Sequence, residues 1–175
     1  EETLAAVIEF FQAHGPVKAI GLGCFGPLDL KQGRITTTSK TLWRDFPIVE
    51  TLENALKTPI VFDTDVNAAA LAEGRWGAAQ GLKHHIYVTI GTGIGGGVIA
   101  NATLLHGLIH PELGHMRVKR HEDDLGFDGI CPFHKDCLEG LASGPAMQAR
   151  TGVAAQDLDI DEKAWNIEAD YLAQM

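Results

Sequence analysis

A strand-like segment runs without a linker into a helix-like segment in the first half of the chain. "TPIVFDTD" (58–65) has the apolar, β-branched character of a strand, and "VNAAALAEGRWGAA" (66–79) is rich in alanine, the best helix former. Upstream, "VKAIGLGCFGPLD" (17–29) is predicted as a buried strand that turns at Gly26-Pro27, and "FPIVETLENALK" (46–57) has helical periodicity. Strands that alternate with helices predict the α/β class.

Composition excludes some classes of protein. The 175 residues carry a formal net charge of −9, which argues against a nucleic-acid-binding surface. No apolar run approaches the roughly 20 residues that a membrane-spanning helix needs, so we expect no membrane partner. Three cysteines, an odd number, do not make a disulfide framework and favour a reducing compartment. We therefore expect a cytoplasmic protein.

Five glycines fall within the seven residues of "GTGIGGG" (91–97), which contains G-x-G-x-x-G. The segment that follows is β-branched and apolar, without the helix that a dinucleotide site requires, and this disfavours an oxidoreductase. Strands on both sides predict a hairpin whose backbone N–H groups can bind phosphate, with the Thr92 hydroxyl beside them. A glycine-rich hairpin without a ligand is the alternative.

Histidine and cysteine, the ligands that zinc prefers, are concentrated between 110 and 137. Cys131, His134 and Cys137 form a C-x-x-H-x-x-C, and His115 can supply a fourth ligand. His110 and His121 compete for that fourth position, and a histidine-rich surface loop with reduced cysteines is the alternative. Four protein ligands leave no place for water, so such a zinc would be structural.

The stretches "DVNAAALAE", "GTGIGGGVI", "HPELGHM" and "CPFHKDCLEGLASGPA" together resemble the ROK family of sugar kinases, and within it the bacterial zinc-containing fructokinases. The resemblance runs from Val17 to Arg150. It implies an actin-like, hexokinase-like two-lobed fold, in which a hexose and ATP meet with Mg²⁺. Residues 1–80 would form most of the N-terminal lobe, and 81–175 the start of the C-terminal lobe, with the hairpin and the zinc loop. It also implies a homodimer.

The resemblance also implies roles for individual residues. Asp65 would be the catalytic base, with Asp63 a nearby rival, and Asn67 would help to orient the sugar. Sugar contacts would come from Glu112, His115, Glu139, Gly26 and Pro27. The phosphate loop would comprise Gly91, Thr92, Gly93, Gly95, Gly96 and Gly97.

The sequence departs from the family pattern in several places. Neither the N-terminal D-x-G-G-T-K phosphate loop nor the C-terminal adenine-binding region is present, so we expect a fragment with a partial cleft and little activity. Its last helix-like segment presents Trp165, Ala169, Leu172 and Met175 on one face and stops without a cap. Threonine at 64, where many members carry a sugar-contacting asparagine, argues against glucose as the preferred hexose. Histidine at 134, where many carry cysteine, favours the fructokinase branch.

The leading prediction is therefore ATP-dependent phosphorylation of fructose to fructose 6-phosphate by the full-length protein. One alternative is a kinase for another hexose, such as glucose or mannose. Another is a ROK-type sugar-responsive transcriptional regulator, which would carry a helix-turn-helix upstream.

Overall fold

The computed structural model describes residues 2–160 and 162–175. They pack into two compact units, each described here by itself. The first unit comprises the chain up to His85 together with Gly97–Pro111, and the second comprises Ile86–Gly96 together with Glu112–Met175. Within the described ranges, every helix falls short of the length and apolar content that crossing a bilayer would require.

Helices and strands alternate along the first half of the chain, as the sequence predicts. In order they are α1 (Glu2–His14), β1 (Ile20–Cys24), β2 (Leu28–Asp29), β3 (Arg34–Ile35), α2 (Ile48–Leu56), β4 (Ile60–Thr64) and α3 (Asp65–Trp76). They are followed by β5 (His85–Ile90), β6 (Ile94–Ala100), β7 (Thr103–Leu104), α4 (Leu138–Ala142), α5 (Gly144–Thr151) and α6 (Lys163–Leu172). The strand orders are β1-β4, β2-β3 and β5-β6-β7.

Strands β1 and β4 are parallel, in a register that pairs Ile20 with Ile60 and Cys24 with Thr64. Their carboxyl ends therefore lie side by side. In open α/β sheets this edge is where ligands bind. The segment after Cys24 and the start of α3 both leave the sheet here.

The core of the first unit lies between this sheet and the helices α1 and α2. Its buried members are Leu4, Cys24, Leu28, Ile35, Ile48 and Leu52. Helix α1 ends at His14, and Gly15 follows with φ +82°, as expected for a glycine at a helix stop. Pro47 is the N-cap of α2 and directly precedes its first residue, Ile48.

The second unit has its own core, made of Ile94, Leu138, Leu141, Ala142, Ile167 and Tyr171. Of the apolar face predicted for the last helix-like segment, Leu172 and Met175 pack against this core, whereas Ala169 is exposed. The buried residues of α6 are Ala164, Ile167, Glu168 and Tyr171. The Trp165 indole N–H donates to the Asp159 carbonyl oxygen across 2.9 Å, which holds that ring at the edge of the core.

A buried ion pair anchors α5 and α6 in this unit. Arg150 donates to both carboxylate oxygens of Asp124, across 2.8 and 3.0 Å, and the Tyr171 hydroxyl donates to the same carboxylate across 2.8 Å. The side chains of Arg150 and Asp124 are only 9% and 3% exposed, so this ion pair is shielded from water. No local sequence pattern indicates it, since its partners are 26 and 47 positions apart.

Candidate functional site

Asp63, near the end of β4, has its carboxylate engaged by three donors. Oδ1 accepts from the Thr64 backbone N–H and from the Asn67 side-chain amide, each across 2.7 Å. Oδ2 lies 2.9 Å from Nε2 of His106, which donates to it. These three hydrogen bonds fix the orientation of the carboxylate and engage both of its oxygens.

Asp65 is in a different position, although it is only two residues further on. It is the first residue of α3, it is exposed, and its Oδ1 accepts from the Val66 backbone N–H across 2.9 Å. Thr64, not Asp65, caps the helix, because the Thr64 hydroxyl accepts from the Asn67 N–H across 3.1 Å. The Asp65 carboxylate is therefore free of the capping role and open to a ligand.

The capping position of Thr64 bears on hexose preference. This residue is only 2% exposed, and its hydroxyl is used by the helix. The Thr64 hydroxyl is therefore engaged within the helix and is not exposed to a sugar.

Cys24 and the following turn belong to the same edge of the sheet. Burial, together with the negative charge of Asp65, raises the pKa of the Cys24 thiol to about 11. Gly26 and Pro27, joined by a cis peptide bond, lie directly after this strand and are partly exposed. The turn and Asp65 thus follow two paired strands that end at the same edge of the sheet.

His106 is a site residue that the sequence analysis missed. It lies just after β7 and is 43 positions from Asp63, so no spacing rule connects the two. Asn67 is fully buried, and its Oδ1 has no hydrogen-bond partner among the described residues. A buried acceptor of this kind is suited to a donor from outside the chain.

In the second unit, the four residues His115, Cys131, His134 and Cys137 form a cluster, hereafter the His–Cys cluster, whose donor atoms all lie within 4.8 Å of one another. Nδ1 of His115 is 3.8 Å from the Cys131 sulfur and 3.6 Å from the Cys137 sulfur. In tetrahedral zinc sites, bonds of about 2.1 Å to nitrogen and 2.3 Å to sulfur place unlike ligands about 3.6 Å apart. The cluster therefore has the spacing and chemistry to hold a metal ion such as zinc.

Short local structures present these ligands. Cys131 and Lys135 exchange backbone hydrogen bonds across 3.2 and 2.9 Å, which closes the C-x-x-H-x-x-C loop. Cys137 is the N-cap of α4, and His115 ends a 3-10 turn that spans Leu113–His115. Glu112 precedes this turn with φ 50°, a left-handed conformation that a non-glycine residue rarely adopts outside constrained sites.

The competing histidines lie elsewhere. His121 accepts from the Asp123 backbone N–H through Nδ1 across 3.1 Å, at the start of another 3-10 turn. His110 is buried and belongs to the first unit. The geometry therefore favours His115 as the fourth donor. Burial raises the pKa of the Cys137 thiol to about 11, so a metal would have to displace a proton there.

Fewer residues of the glycine run lie in a loop than the sequence analysis predicts. The Gly91 N–H donates to the Gly93 carbonyl oxygen across 2.9 Å, and β6 already begins at Ile94. Gly95, Gly96 and Gly97 therefore lie within a strand and not in a loop.

Close packing explains why two of these strand positions require glycine. A Cβ at Gly96 would lie 2.5 Å from a Leu113 methyl carbon, and one at Gly97 would overlap the Val66 carbonyl. Since the Gly91 N–H is donated to the Gly93 carbonyl oxygen, backbone N–H groups for a phosphate are best sought at Thr92 and Gly93.

The amino-acid sequence matches the ROK family over residues 1–174. It is 47% identical to a fructokinase from Lactococcus lactis subsp. cremoris over 99% of this chain and 60% of that protein. The chain thus spans about three fifths of the length of this curated relative.

Solved structures agree with the fold. A ROK hexokinase from Thermus thermophilus superimposes with a TM-score of 0.74 at 35% identity, over 98% of this chain and 61% of that one. A ROK glucokinase from Streptomyces griseus, solved with glucose and AMPPNP, gives 0.70 at 28% identity, over 99% and 57%. These matches confirm the α/β, hexokinase-like fold predicted from the sequence.

Proposed function

Since the chain belongs to the ROK family, we propose that the whole protein transfers a phosphoryl group from ATP to fructose and forms fructose 6-phosphate. The 47% identity to a fructokinase supports the choice of hexose. The observation that carries the proposal is the contrast between two neighbouring carboxylates, of which Asp63 accepts three hydrogen bonds and Asp65 is exposed.

Asp65 is proposed as the general base. Phosphoryl transfer demands little covalent work of the protein beyond positioning, charge neutralisation and removal of the hydroxyl proton. An exposed carboxylate can accept that proton when the attacking oxygen is within hydrogen-bond reach. Its place at the first residue of α3, directly after β4, fixes its backbone from both sides.

Two sets of residues are proposed as sugar contacts, each described within its own unit. The first unit offers the buried Oδ1 of Asn67 and the turn at Gly26 and Pro27. The second unit offers Glu112, His115 and Glu139, which belong to the His–Cys cluster or adjoin it in sequence.

The tip at Gly91, Thr92 and Gly93 is proposed to hold a phosphate of ATP through the backbone N–H groups of Thr92 and Gly93, because the Gly91 N–H is donated within the tip. The strand glycines Gly95, Gly96 and Gly97 would shape this element without side chains that crowd it. Magnesium, when bound, supplies positive charge that offsets the charge of the phosphates.

Zinc is proposed as the metal of the His–Cys cluster, one ion per chain, with a structural role. Elemental analysis of the purified whole protein should find about one zinc per chain. Cys131→Ser should abolish it, whereas Cys24→Ser, which changes a cysteine outside the cluster, should not. Zinc retained in full by a Cys131→Ser, Cys137→Ser double variant would overturn the assignment.

ADP release by the whole protein, measured over a panel of fructose, glucose and mannose, tests the proposed activity. We expect kcat/KM to be highest for fructose. Glucose is the alternative acceptor, favoured by the match to a glucokinase solved with that sugar. Equal kcat/KM for fructose and glucose would contradict the fructose assignment, and ADP release with none of the hexoses would contradict the kinase.

The whole protein is further proposed to be a cytoplasmic homodimer. All three cysteines are free, in keeping with a reducing compartment. Light scattering on the purified whole protein should give twice the mass of one chain, and a monomeric mass at working concentrations would contradict the dimer.

A further inference from the structure

Two segments that carry ligands of the His–Cys cluster converge on one residue of the glycine hairpin, Ile94. The first is the Leu113–His115 turn, in which Gly114 packs so closely on Ile94 that a Cβ would overlap its carbonyl oxygen. The turn that presents His115 is therefore in direct backbone contact with the start of β6.

The second segment is the first turn of α4. Oε2 of Glu139 accepts from the Ile94 backbone N–H across 2.9 Å. The same oxygen would lie 2.5 Å from a Cβ at Gly93, so the carboxylate fills the space that a side chain there would need. Glu139 is two residues after Cys137, the ligand that also caps this helix.

Backbone hydrogen bonds connect the same parts. The Leu138 N–H donates to the Met116 carbonyl oxygen across 3.0 Å, which ties α4 to the turn that carries His115. Beyond α4, the Gly144 N–H donates to the Gly91 carbonyl oxygen across 2.9 Å, which fixes the other side of the tip. The tip is thus held from both ends by elements that continue from the His–Cys cluster.

We propose that Glu139 is a positioning residue that couples metal binding at the His–Cys cluster to the order of the glycine tip, Gly91–Gly93. A metal joining His115 to Cys137 would fix the Leu113–His115 turn and α4 relative to each other. Because both hold Ile94, the tip would be ordered when the metal is bound and looser when it is removed. The phosphate-binding consequence rests on the proposed function, whereas the mechanical coupling does not.

Amide hydrogen exchange on the whole protein, without sugar or nucleotide, tests the coupling. Removal of zinc by a chelator should speed exchange at the Ile94 amide about tenfold, as expected when one hydrogen bond that protects it is lost. Zinc added back should restore the slow rate, and amides of α2, in the first unit, should not change. An Ile94 rate that is the same with and without zinc would overturn the proposal.

Two substitutions distinguish the effect of Glu139 on exchange at Ile94 from the effect of the metal. Glu139→Ala should speed exchange at Ile94 to a similar extent with the zinc content unchanged, since this residue is not a ligand. Glu139→Gln keeps an acceptor oxygen and should retain slow exchange. Slow exchange in Glu139→Ala, or fast exchange in Glu139→Gln, would overturn the assignment.

Kinetics then test whether the ordered tip serves nucleotide binding. Glu139→Gln should leave KM for ATP near the wild-type value, whereas Glu139→Ala should raise it several-fold. A KM for ATP that is unchanged in Glu139→Ala would contradict the role of the tip in nucleotide binding while leaving the exchange result intact. Failure of the proposed kinase activity is therefore distinguishable from failure of the coupling.

Discussion

The side-chain amide of Asn67 donates to Oδ1 of Asp63 across 2.7 Å. His106 donates a second hydrogen bond to the other oxygen of the same carboxylate. Asp65, two residues further along the chain, is exposed. Two aspartates separated by one residue thus receive different environments, because one side chain points into a hydrogen-bond network and the other begins a helix. This difference in environment is why Asp65, and not Asp63, is proposed as the general base.

Gly97→Ala should destabilise the protein strongly. The added Cβ would overlap the carbonyl of Val66, a backbone group that cannot rotate away. Overpacking of this kind costs about 1–3 kcal/mol or more. Urea unfolding measures the change in the free energy of unfolding, and Gly91→Ala is the control, because its Cβ would meet nothing within 4 Å. Equal stability of the two variants would contradict this packing.

Asp124→Asn should be far more damaging than Asp123→Asn, one position earlier. Asp124 is paired with Arg150 in a site only a few per cent exposed, and removal of one charge leaves the other buried and unpaired. Such losses cost about 3–5 kcal/mol. Asp123 pairs with Lys163 at the surface, where water screens the interaction. Thermal and urea unfolding of both variants should show a large shift only for Asp124→Asn, and similar shifts would contradict the account.

Glu168→Gln should stabilise the protein at neutral pH. Burial raises the pKa of this carboxyl above 4.5, although the charge of Arg150 acts in the opposite direction. Because the folded state holds the proton more tightly, the contribution of this group to stability is full below the unfolded pKa of 4.5 and is lost as pH rises through the folded pKa.

The variant lacks this titration, so its melting temperature should exceed that of the wild type at pH 7 and approach it near pH 4. Asp170→Asn, at an exposed position on the same helix, is the matched control. A constant difference between Glu168→Gln and the wild type across this pH range would show that the carboxyl does not titrate as described.

Features that arise from neighbouring residues could be predicted from the sequence. The join of β4 and α3 follows from an apolar strand pattern beside an alanine-rich stretch, and Cys131, His134 and Cys137 are close in space because they are close in the chain. Contacts between distant residues could not be predicted. The His106–Asp63 bond, 43 positions apart, depends on tertiary packing alone.

The buried face of α6 shows a second limit. The pattern of apolar residues places Trp165 and Ala169 on one face, yet the buried residues of the helix include Glu168 and Tyr171. A buried carboxylate lies near Arg150, and the Tyr171 hydroxyl reaches Asp124, so polar partners decide which face packs. Hydrophobic periodicity does not reveal such partners, because they lie outside the helix whose pattern is considered.

The most direct test of the account compares Asp65→Asn with the wild-type whole protein in an ADP-release assay with fructose. Thr64 keeps its role as the helix cap in this variant, so folding and fructose affinity should be largely retained. We expect kcat to fall by roughly 10²-fold or more, the usual size of a lost general base. Near-normal turnover by Asp65→Asn would contradict the assignment of Asp65 as the base.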